Sequence, residues 1–442
     1  MLHSISSSTT STDPDTMVAR AALAKTAFPS QTRARAAPDR QAARLLRLNL
    51  LAAAAFGAIL GFARLSYGLL LPSIQADLHG SYAALGLVGS ANLAGTLLGT
   101  LAVPLLLLRV RDRRRLNLVS LLSLSVTLAV AATSADVPQL AVWRFLTGLA
   151  SGPAAVLTIA LTLERSPLDR RGAAAGLIWT GGAAGLVGSA LLGPLLEAAP
   201  HLHAWRLAWP GMALVGLAAG LALHRALGTP PTPSSLAPDA PRRLASDPAG
   251  NDAGLSLWRR PLAWLTMSYF GFGASYIIYF TFAAALLRQQ GAPAALASFL
   301  WALLGLAGLL GGVAWGRVAD GRARLAALPV CLVVAALGGL AMLTGSLVLE
   351  LAGAVLMGAC SFGVPSVATA LLRQTIRDDR RYTSSLSLLS ATVGVGQVLG
   401  PVVGGHVSDT SGLLAGISLA GLVMLASGLP AVAYGRGAAR AR

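Results

Sequence analysis

The chain has 442 residues, of which 55% are hydrophobic and only 12% are charged, and its mean hydropathy is +0.67. Soluble domains usually carry roughly 25% charged residues, so this composition excludes an ordinary soluble protein and indicates an integral membrane protein. The formal net charge of +17 would suit a nucleic-acid binder. The basic residues, however, are spread over separate segments instead of one face, so we expect no nucleic-acid partner.

The first 44 residues are rich in Ser, Thr, Ala and Arg and contain no long apolar run. This composition predicts a disordered tail at 1–44 instead of a cleaved signal peptide. An organellar transit peptide is the alternative. Asp13, Asp15 and Asp39 argue against it, because transit peptides contain few acidic residues.

Twelve apolar segments of about 20 to 27 residues follow, each long enough to cross a hydrocarbon core of roughly 30 Å. We predict an all-α integral membrane protein with six-helix halves over 45–227 and 259–436. A Pro- and Ser-rich cytoplasmic linker over 228–258 joins the halves, and 437–442 form a basic tail. The ninth and tenth helices are expected to meet at Glu350, the single charged residue of their apolar run.

The loops between these segments alternate in charge along the chain. Basic residues concentrate in every second loop and in both terminal tails, and such loops stay in the cytoplasm. Both termini are therefore predicted to be cytoplasmic. Almost all the basic residues are Arg, which is typical of a GC-rich bacterial genome, so we expect a multi-pass protein of the bacterial inner (plasma) membrane.

The two halves resemble each other weakly. "GFARLSYG" in the first helix has an echo in "GFGASYII" of the seventh, and three further echoes follow in the same order. Internal duplication with a site between the repeats is typical of secondary transporters. Several helices also carry two glycines four residues apart, a pattern that predicts close helix packing in lipid.

Three motifs resemble those of the major facilitator superfamily (MFS). They are "RFLTGLASG" from Arg144, "GRVADGRAR" from Gly316 to Arg324, and "GQVLGPVVGG" from Gly396. Within the superfamily, "GFARLSYGLLLPSIQADL" and "SYIIYFTF" are most similar to the YbfB/YjiJ-like branch. The resemblance implies a twelve-helix secondary transporter whose helices 1, 4, 7 and 10 line a central cavity.

The same resemblance assigns conformational roles to two of these segments. It implies a gating loop that contains Gly316, Asp320 and Arg324, with Gly321 where an arginine is usual. It also implies a bending element in the eleventh helix, with Gly396, Gly400 and Pro401, that resembles an antiporter motif and favours export.

Arg64 and Arg144 are cations inside apolar helices that contain no deep carboxylate. Snorkelling to the membrane surface is the alternative to a functional role, but intramembrane charges usually mark a substrate or ion pathway. We predict that Arg64 and Arg144 bind an anionic substrate, with Tyr67, Tyr276 and Tyr279 supplying hydroxyls and aromatic faces.

The predicted function is secondary active transport of a small molecule, an anionic metabolite or a drug-like compound, by alternating access, with export favoured. A membrane sensor that binds ligand without flux and an intramembrane enzyme are the alternatives. The sequence has no phosphate-binding loop, metal cluster or nucleophile motif. We therefore expect no enzymatic activity, catalytic residue, metal or cofactor. The expected partners are the lipid bilayer and the substrate, proton coupling stays open, and the protein is expected to be a monomer.

Overall fold

Helices make up most of the described chain. The computed structural model describes residues 29–110, 112–167, 170–191, 204–228, 261–321, 323–376 and 379–440. Among these residues, twelve helices are long and apolar enough to cross a membrane. The predicted all-α fold with twelve membrane-spanning helices is confirmed, whereas the cytoplasmic placement of the termini stays a prediction.

We number the helices α1 to α12. The first helix, α1, has three consecutive parts, Pro29–Phe56, Gly57–Leu65 and Ser66–Leu78. The others are α2 (Tyr82–Arg109), α3 (Arg113–Ala131), α4 (Val137–Leu163), α5 (Arg171–Ala190), α6 (Ala204–Ala226), α7 (Leu262–Gln289), α8 (Ala294–Asp320), α9 (Arg324–Ala341), α10 (Leu347–Thr375), α11 (Asp379–Ser411) and α12 (Leu413–Arg440).

The predicted segment boundaries differ from the helix ends at both tails. Residues 29–44 of the expected disordered tail are helical, in keeping with the high helix propensity of their Ala and Arg residues. Similarly, α12 continues into the expected basic tail as far as Arg440. Residues 1–28, and 229–258 of the linker, lie outside the described residues. The contacts divide the chain after Leu48, and Asn49–Arg442 form one unit that contains both halves.

The turn between α9 and α10 lies at residues 342–346, so the prediction that it lies at Glu350 was wrong. Gly345 has a φ of 72° in this turn, a left-handed conformation that glycine adopts without steric cost. Glu350 lies instead in the first turn of α10 and is 5% exposed. The charge of Glu350 does not mark the turn, because the turn forms where Gly345 can adopt a left-handed backbone conformation.

Paired glycines bring helices into backbone contact within each half. Gly57 and Gly61 of α1 face Gly181 and Gly185 of α5, and a Cβ on Gly57 would lie 2.8 Å from the Gly181 carbonyl oxygen. The glycine pairs of α2 and α4 also pack against the backbone of the opposite helix. The predicted close packing is confirmed, and it gains dispersion contacts that lipid cannot supply.

The two halves meet closely at the end of the bundle where α1 is followed by α2, which we call the α1–α2 end. A Cβ on Gly68 of α1 would collide with the carbonyl of Phe280 of α7, and one on Gly86 of α2 would collide with that of Pro401 of α11. Backbone contact at both places means that this end of the bundle is closed.

A carboxylate reinforces this closure. Asp409, near the end of α11, accepts hydrogen bonds from the backbone N–H groups of Tyr82 and Ala83, each at 2.8 Å. These N–H groups belong to the first turn of α2, where an α-helix has no internal acceptor for them and carries partial positive charge. Asp409 therefore caps a helix of the other half.

Candidate substrate cavity

The backbone of α1 changes its winding where Arg64 lies. Residues Gly57–Leu65 form a π-helix, which is rare and frequently marks functional sites. Three residues separate Gly61-Phe62 from Ser66-Tyr67 in α1, whereas two separate the equivalent Gly-Phe and Ser-Tyr pairs of α7. The wider turns of the π-helix accommodate this additional residue.

Arg64 links the two halves. Its Nη2 donates to the hydroxyl of Tyr276 on α7 at 3.1 Å and to Oε1 of Gln397 on α11. Nε2 of Gln397 donates in turn to the Tyr276 hydroxyl at 3.0 Å. We call this closed set of three hydrogen bonds the Arg64 triangle. It joins a permanent cation to two neutral groups, so it leaves the charge uncompensated.

Arg144 on α4 lies within the N-terminal half and is 1% exposed. Its Nη1 donates to the carbonyl of Ala63 at 2.5 Å, inside the π-helical part of α1. The guanidinium also lies over the rings of Tyr67 and Trp209, 5.1 and 5.4 Å from their centroids. Aromatic faces attract cations, so these rings partly replace the water that Arg144 has lost.

A small cavity lies between the halves beside both arginines. Its lining comes from α1, α2, α4 and α7: Arg64, Leu65, Tyr67, Gly68, Gly89, Asn92, Leu93, Arg144, Ile277, Phe280 and Thr281. It has room for about one water molecule.

Both arginines that line this cavity keep an unused donor. Nε of Arg64 and Nε of Arg144 are buried and make no hydrogen bond. Among the residues that the structure describes, no Asp or Glu forms an ion pair with either arginine. The cavity therefore presents two positive charges in a low-dielectric setting, where an anion is the group that would compensate them.

The structure brings together four of the five predicted binding residues. Arg64, Tyr67 and Arg144 line the cavity, and Tyr276 belongs to the Arg64 triangle. The Tyr67 hydroxyl donates to the carbonyl of Leu85 at 2.7 Å, so Tyr67 offers its ring to Arg144 and not its hydroxyl to a ligand.

The fifth predicted residue lies elsewhere. Tyr279 is 2% exposed, its hydroxyl contacts Sδ of Met342 beyond α9, and it is not among the cavity residues. It lies three residues after Tyr276, so the two side chains are about 60° apart around α7. This offset leaves Tyr276 at Arg64 and turns Tyr279 towards Met342.

Three polar or aromatic residues of the site were not predicted. Gln397 was quoted within "GQVLGPVVGG" without a role, although a glutamine inside an apolar helix four residues before a proline is a visible signal. Asn92 donates from Nδ2 to the Arg144 carbonyl at 3.0 Å. Trp209 has no distinguishing sequence context, because only tertiary packing places its ring under Arg144.

The predicted conformational residues fall into two groups. Gly396 and Gly400 pack against α7, where added Cβ atoms would collide with the carbonyls of Phe270 and Ala274. Pro401 meets Gly86, as described above.

The second group lies between α8 and α9. Asp320 ends α8 and Arg324 begins α9. A Cβ on Gly316 would meet no atom within 4 Å. The side chain of Asp320 lies outside the described residues.

The fold and the site define a secondary transporter: two six-helix halves enclose a charged cavity within a membrane bundle. A family model described as "Uncharacterised MFS-type transporter YbfB" matches residues 57–432. The chain belongs to this family, and the predicted membership is confirmed. It is accordingly a multi-pass membrane protein of the transporter class, and its family and structural relatives are transporters.

Solved structures of major facilitator transporters share the fold. A bacterial homolog of the human lysosomal transporter Spinster, in an inward-facing and unoccupied conformation, matches with a TM-score of 0.70 and 17% identity, over 91% of this chain and 98% of that one. The nucleoside transporter NupG matches with a TM-score of 0.71 and 15% identity, over 88% and 98%. A D-xylose-proton symporter matches at 0.67 and 16%, over 87% and 96%. None of the curated protein sequences matches the chain significantly.

Proposed function

We propose that this protein is a secondary active transporter for a small organic anion, which it exports by alternating access around the cavity beside Arg64 and Arg144. The observation that carries the proposal is a pair of arginines that line the same cavity, each with a buried Nε that has no hydrogen-bond partner. Burying an unpaired charge costs several kcal/mol. Arg144 is fully buried and Arg64 partly buried, so an anion placed between them would offset this cost at both residues.

The closed α1–α2 end supports alternating access. Contacts between the halves at Gly68, Gly86 and Asp409 seal one route to the cavity. With both termini in the cytoplasm, as the basic loops predict, the sealed end is the periplasmic one. The conformation is then one that loads from the cytoplasm, which is the loading side of an exporter.

The antiporter-like element of α11 supports export in the same way. Pro401 and Gly400 lie where α11 contacts both α2 and α7, so bending at this element would move the closed end. We place the protein in the bacterial inner membrane as a monomer, because each half already buries its glycine faces within one chain.

Proton coupling is part of the proposal because one structural relative is a proton symporter. Asp77, near the end of α1, accepts from Trp205 Nε1 at 2.9 Å and from Arg206 Nε at 2.7 Å. Its carboxylate is thus engaged in an ion pair within the N-terminal half. We therefore favour a proton that moves with or against the substrate anion over one that resides on Asp77.

The test uses purified protein and two acid–amide pairs, acetate with acetamide and benzoate with benzamide. The unfolding temperature should rise with the acids and not with the amides, since a ligand at 100 times its Kd stabilises by roughly 2.7 kcal/mol. Arg64→Ala should lose the response. Arg288→Ala is the matched control, because Arg288 is exposed at the end of α7 and its side chain donates to the nearby Ala292 carbonyl.

Transport itself is measured in proteoliposomes. The acid that stabilises the protein should exchange across the sealed membrane with wild type and Arg288→Ala, and not with Arg64→Ala. Binding without flux would indicate the sensor instead. Equal stabilisation by acids and amides in wild type and Arg64→Ala would show that the substrate is not recognised as an anion.

A further inference from the structure

Gln397 occupies the position on Arg64 that an anion would take. Its amide oxygen accepts from the Arg64 Nη2, and its amide nitrogen donates to the same Tyr276 hydroxyl that Arg64 contacts. The amide oxygen is planar and sp², like one oxygen of a carboxylate, but it carries no charge. A carboxylate is the stronger acceptor for a guanidinium, so it can compete with Gln397 for this donor.

The backbone around Gln397 is able to move. Pro401 lies four residues further on and has no N–H to donate to the Gln397 carbonyl, a position at which helices kink. Arg64 lies in the π-helical part of α1, which is also irregular. The Arg64 triangle therefore joins the two halves between two interrupted helices, where a change of shape breaks few regular hydrogen bonds.

The space at the site limits the ligand. The cavity holds about one water molecule, so a ligand needs additional volume, which the Gln397 side chain would supply by leaving Arg64. One planar group leaves, which suits one carboxylate. The lining beside Arg64 includes the apolar and aromatic residues Leu65, Ile277 and Phe280 as well as the second cation, Arg144. The site therefore suits one carboxylate shared between the two guanidiniums and attached to a small apolar group.

We propose that Gln397 is an internal stand-in for the substrate and that the substrate is a compact monocarboxylate. The carboxylate displaces the Gln397 amide from Arg64. Ligand binding thereby breaks the Arg64–Gln397 hydrogen bond, which links α1 of one half to α11 of the other. This inference rests on the proposed function, because it assumes that an anion binds at Arg64.

The test compares Gln397→Glu with Gln397→Ala by thermal unfolding with acetate, benzoate and their amides. Gln397→Glu supplies a permanent internal carboxylate, so the acids should lose at least tenfold in apparent affinity. Gln397→Ala removes the competitor, so the acids should bind at least as tightly as to wild type. Gln374→Glu is the matched control, since Gln374 bonds to the Ala319 carbonyl within the C-terminal half.

A second experiment measures, without any ligand, whether residue 397 changes the distance between the two halves. Spin labels at Thr133 and Ser346, exposed turn residues at the α1–α2 end on opposite halves, form the 133–346 label pair. The buried Cys331 and Cys360 are replaced by Ala. Pulsed EPR should show a larger long-distance fraction for Gln397→Ala than for wild type, and a smaller one for Gln397→Glu.

The outcomes separate the two proposals. If the acids stabilise wild type and Gln397→Glu equally, the stand-in role of Gln397 is wrong and the anion transporter stands. If the acids bind as expected but the label distances are the same in wild type and both Gln397 variants, the proposal that the Arg64–Gln397 link holds the halves together is wrong. If no acid stabilises wild type or Gln397→Ala, the proposed function fails, and this inference fails with it.

Discussion

Arg144 shows how a single buried charge can serve a site at the expense of stability. It is 1% exposed, bonds to one backbone carbonyl and lies over two aromatic rings. Desolvated cation–π contacts contribute about 2 kcal/mol each, which is less than the idealised cost of removing an ion from water. Arg144 is therefore better explained by its unused Nε at the cavity than by a purely structural role.

Replacing Arg144 by methionine tests this explanation. Met fills a similar volume without charge, and replacing buried charges by apolar groups is often neutral or stabilising. We expect Arg144→Met to unfold at a temperature no lower than wild type and to bind benzoate at least tenfold more weakly. Unfolding at a clearly lower temperature would instead make Arg144 a structural brace between α4 and α1.

Arg64 differs from Arg144 in the groups that hold it. Every hydrogen bond of the Arg144 side chain stays within the N-terminal half, whereas Arg64 bonds across to α7 and α11. A structural change that separates the halves would break the contacts of Arg64 and spare those of Arg144. The two arginines can therefore bind one anion in common while only Arg64 reports on the relative position of the halves.

At the scale of elements, the π-helical part of α1 places two functional groups together. It carries Arg64 and also provides the Ala63 carbonyl that accepts from Arg144. One additional residue relative to α7 accounts for it. The two halves thus differ in spacing by one residue at the position where they share a cavity.

The crossing of α1 and α7 depends on Gly68. A Cβ there would collide with the Phe280 carbonyl, and overpacking typically costs 1–3 kcal/mol. We expect Gly68→Ala to raise the long-distance fraction of the 133–346 label pair about tenfold, which corresponds to ~1.4 kcal/mol. Gly176→Ala is the control, because its Cβ would meet no atom within 4 Å. If the label distances in Gly68→Ala and Gly176→Ala are both distributed as in wild type, closure of the α1–α2 end does not depend on this contact.

At the scale of the whole molecule, the closed end depends on contacts that belong to neither half alone. Asp409 caps α2 from the other half, whereas Asp136 caps α4 within its own half by accepting from the Gln139 N–H at 2.7 Å. The two caps use the same chemistry at the same end of the bundle, so a comparison of the two isolates what the link between halves contributes.

We expect Asp409→Ala and Asp136→Ala to lower stability by similar amounts, about 1 kcal/mol for a lost cap. Only Asp409→Ala should also lengthen the distances of the 133–346 label pair, because it releases the N-terminus of α2 from α11. If both variants lengthen these distances, or neither does, Asp409 has no special part in closure.

Much of this architecture could be predicted from local pattern. Apolar segments of spanning length, paired glycines and an isolated arginine are each visible without knowledge of distant contacts, since lipid imposes length and composition on every helix separately. The turn at Gly345 was missed because a backbone conformation, and not a charge, decided its position. Gln397 was missed because its importance comes from a residue 333 positions away.

The amino-acid sequence by itself determined the all-α class, the number of helices, the family and the presence of two intramembrane cations. These follow from hydrophobic length and short motifs, which act within one helix. Only the tertiary structure decided that Arg64 bonds to Gln397 and Tyr276, that Arg144 rests on Tyr67 and Trp209, and that Tyr279 faces away. Those contacts depend on helix rotation and on the register between halves, which the sum of many weak packing contacts sets across the whole bundle.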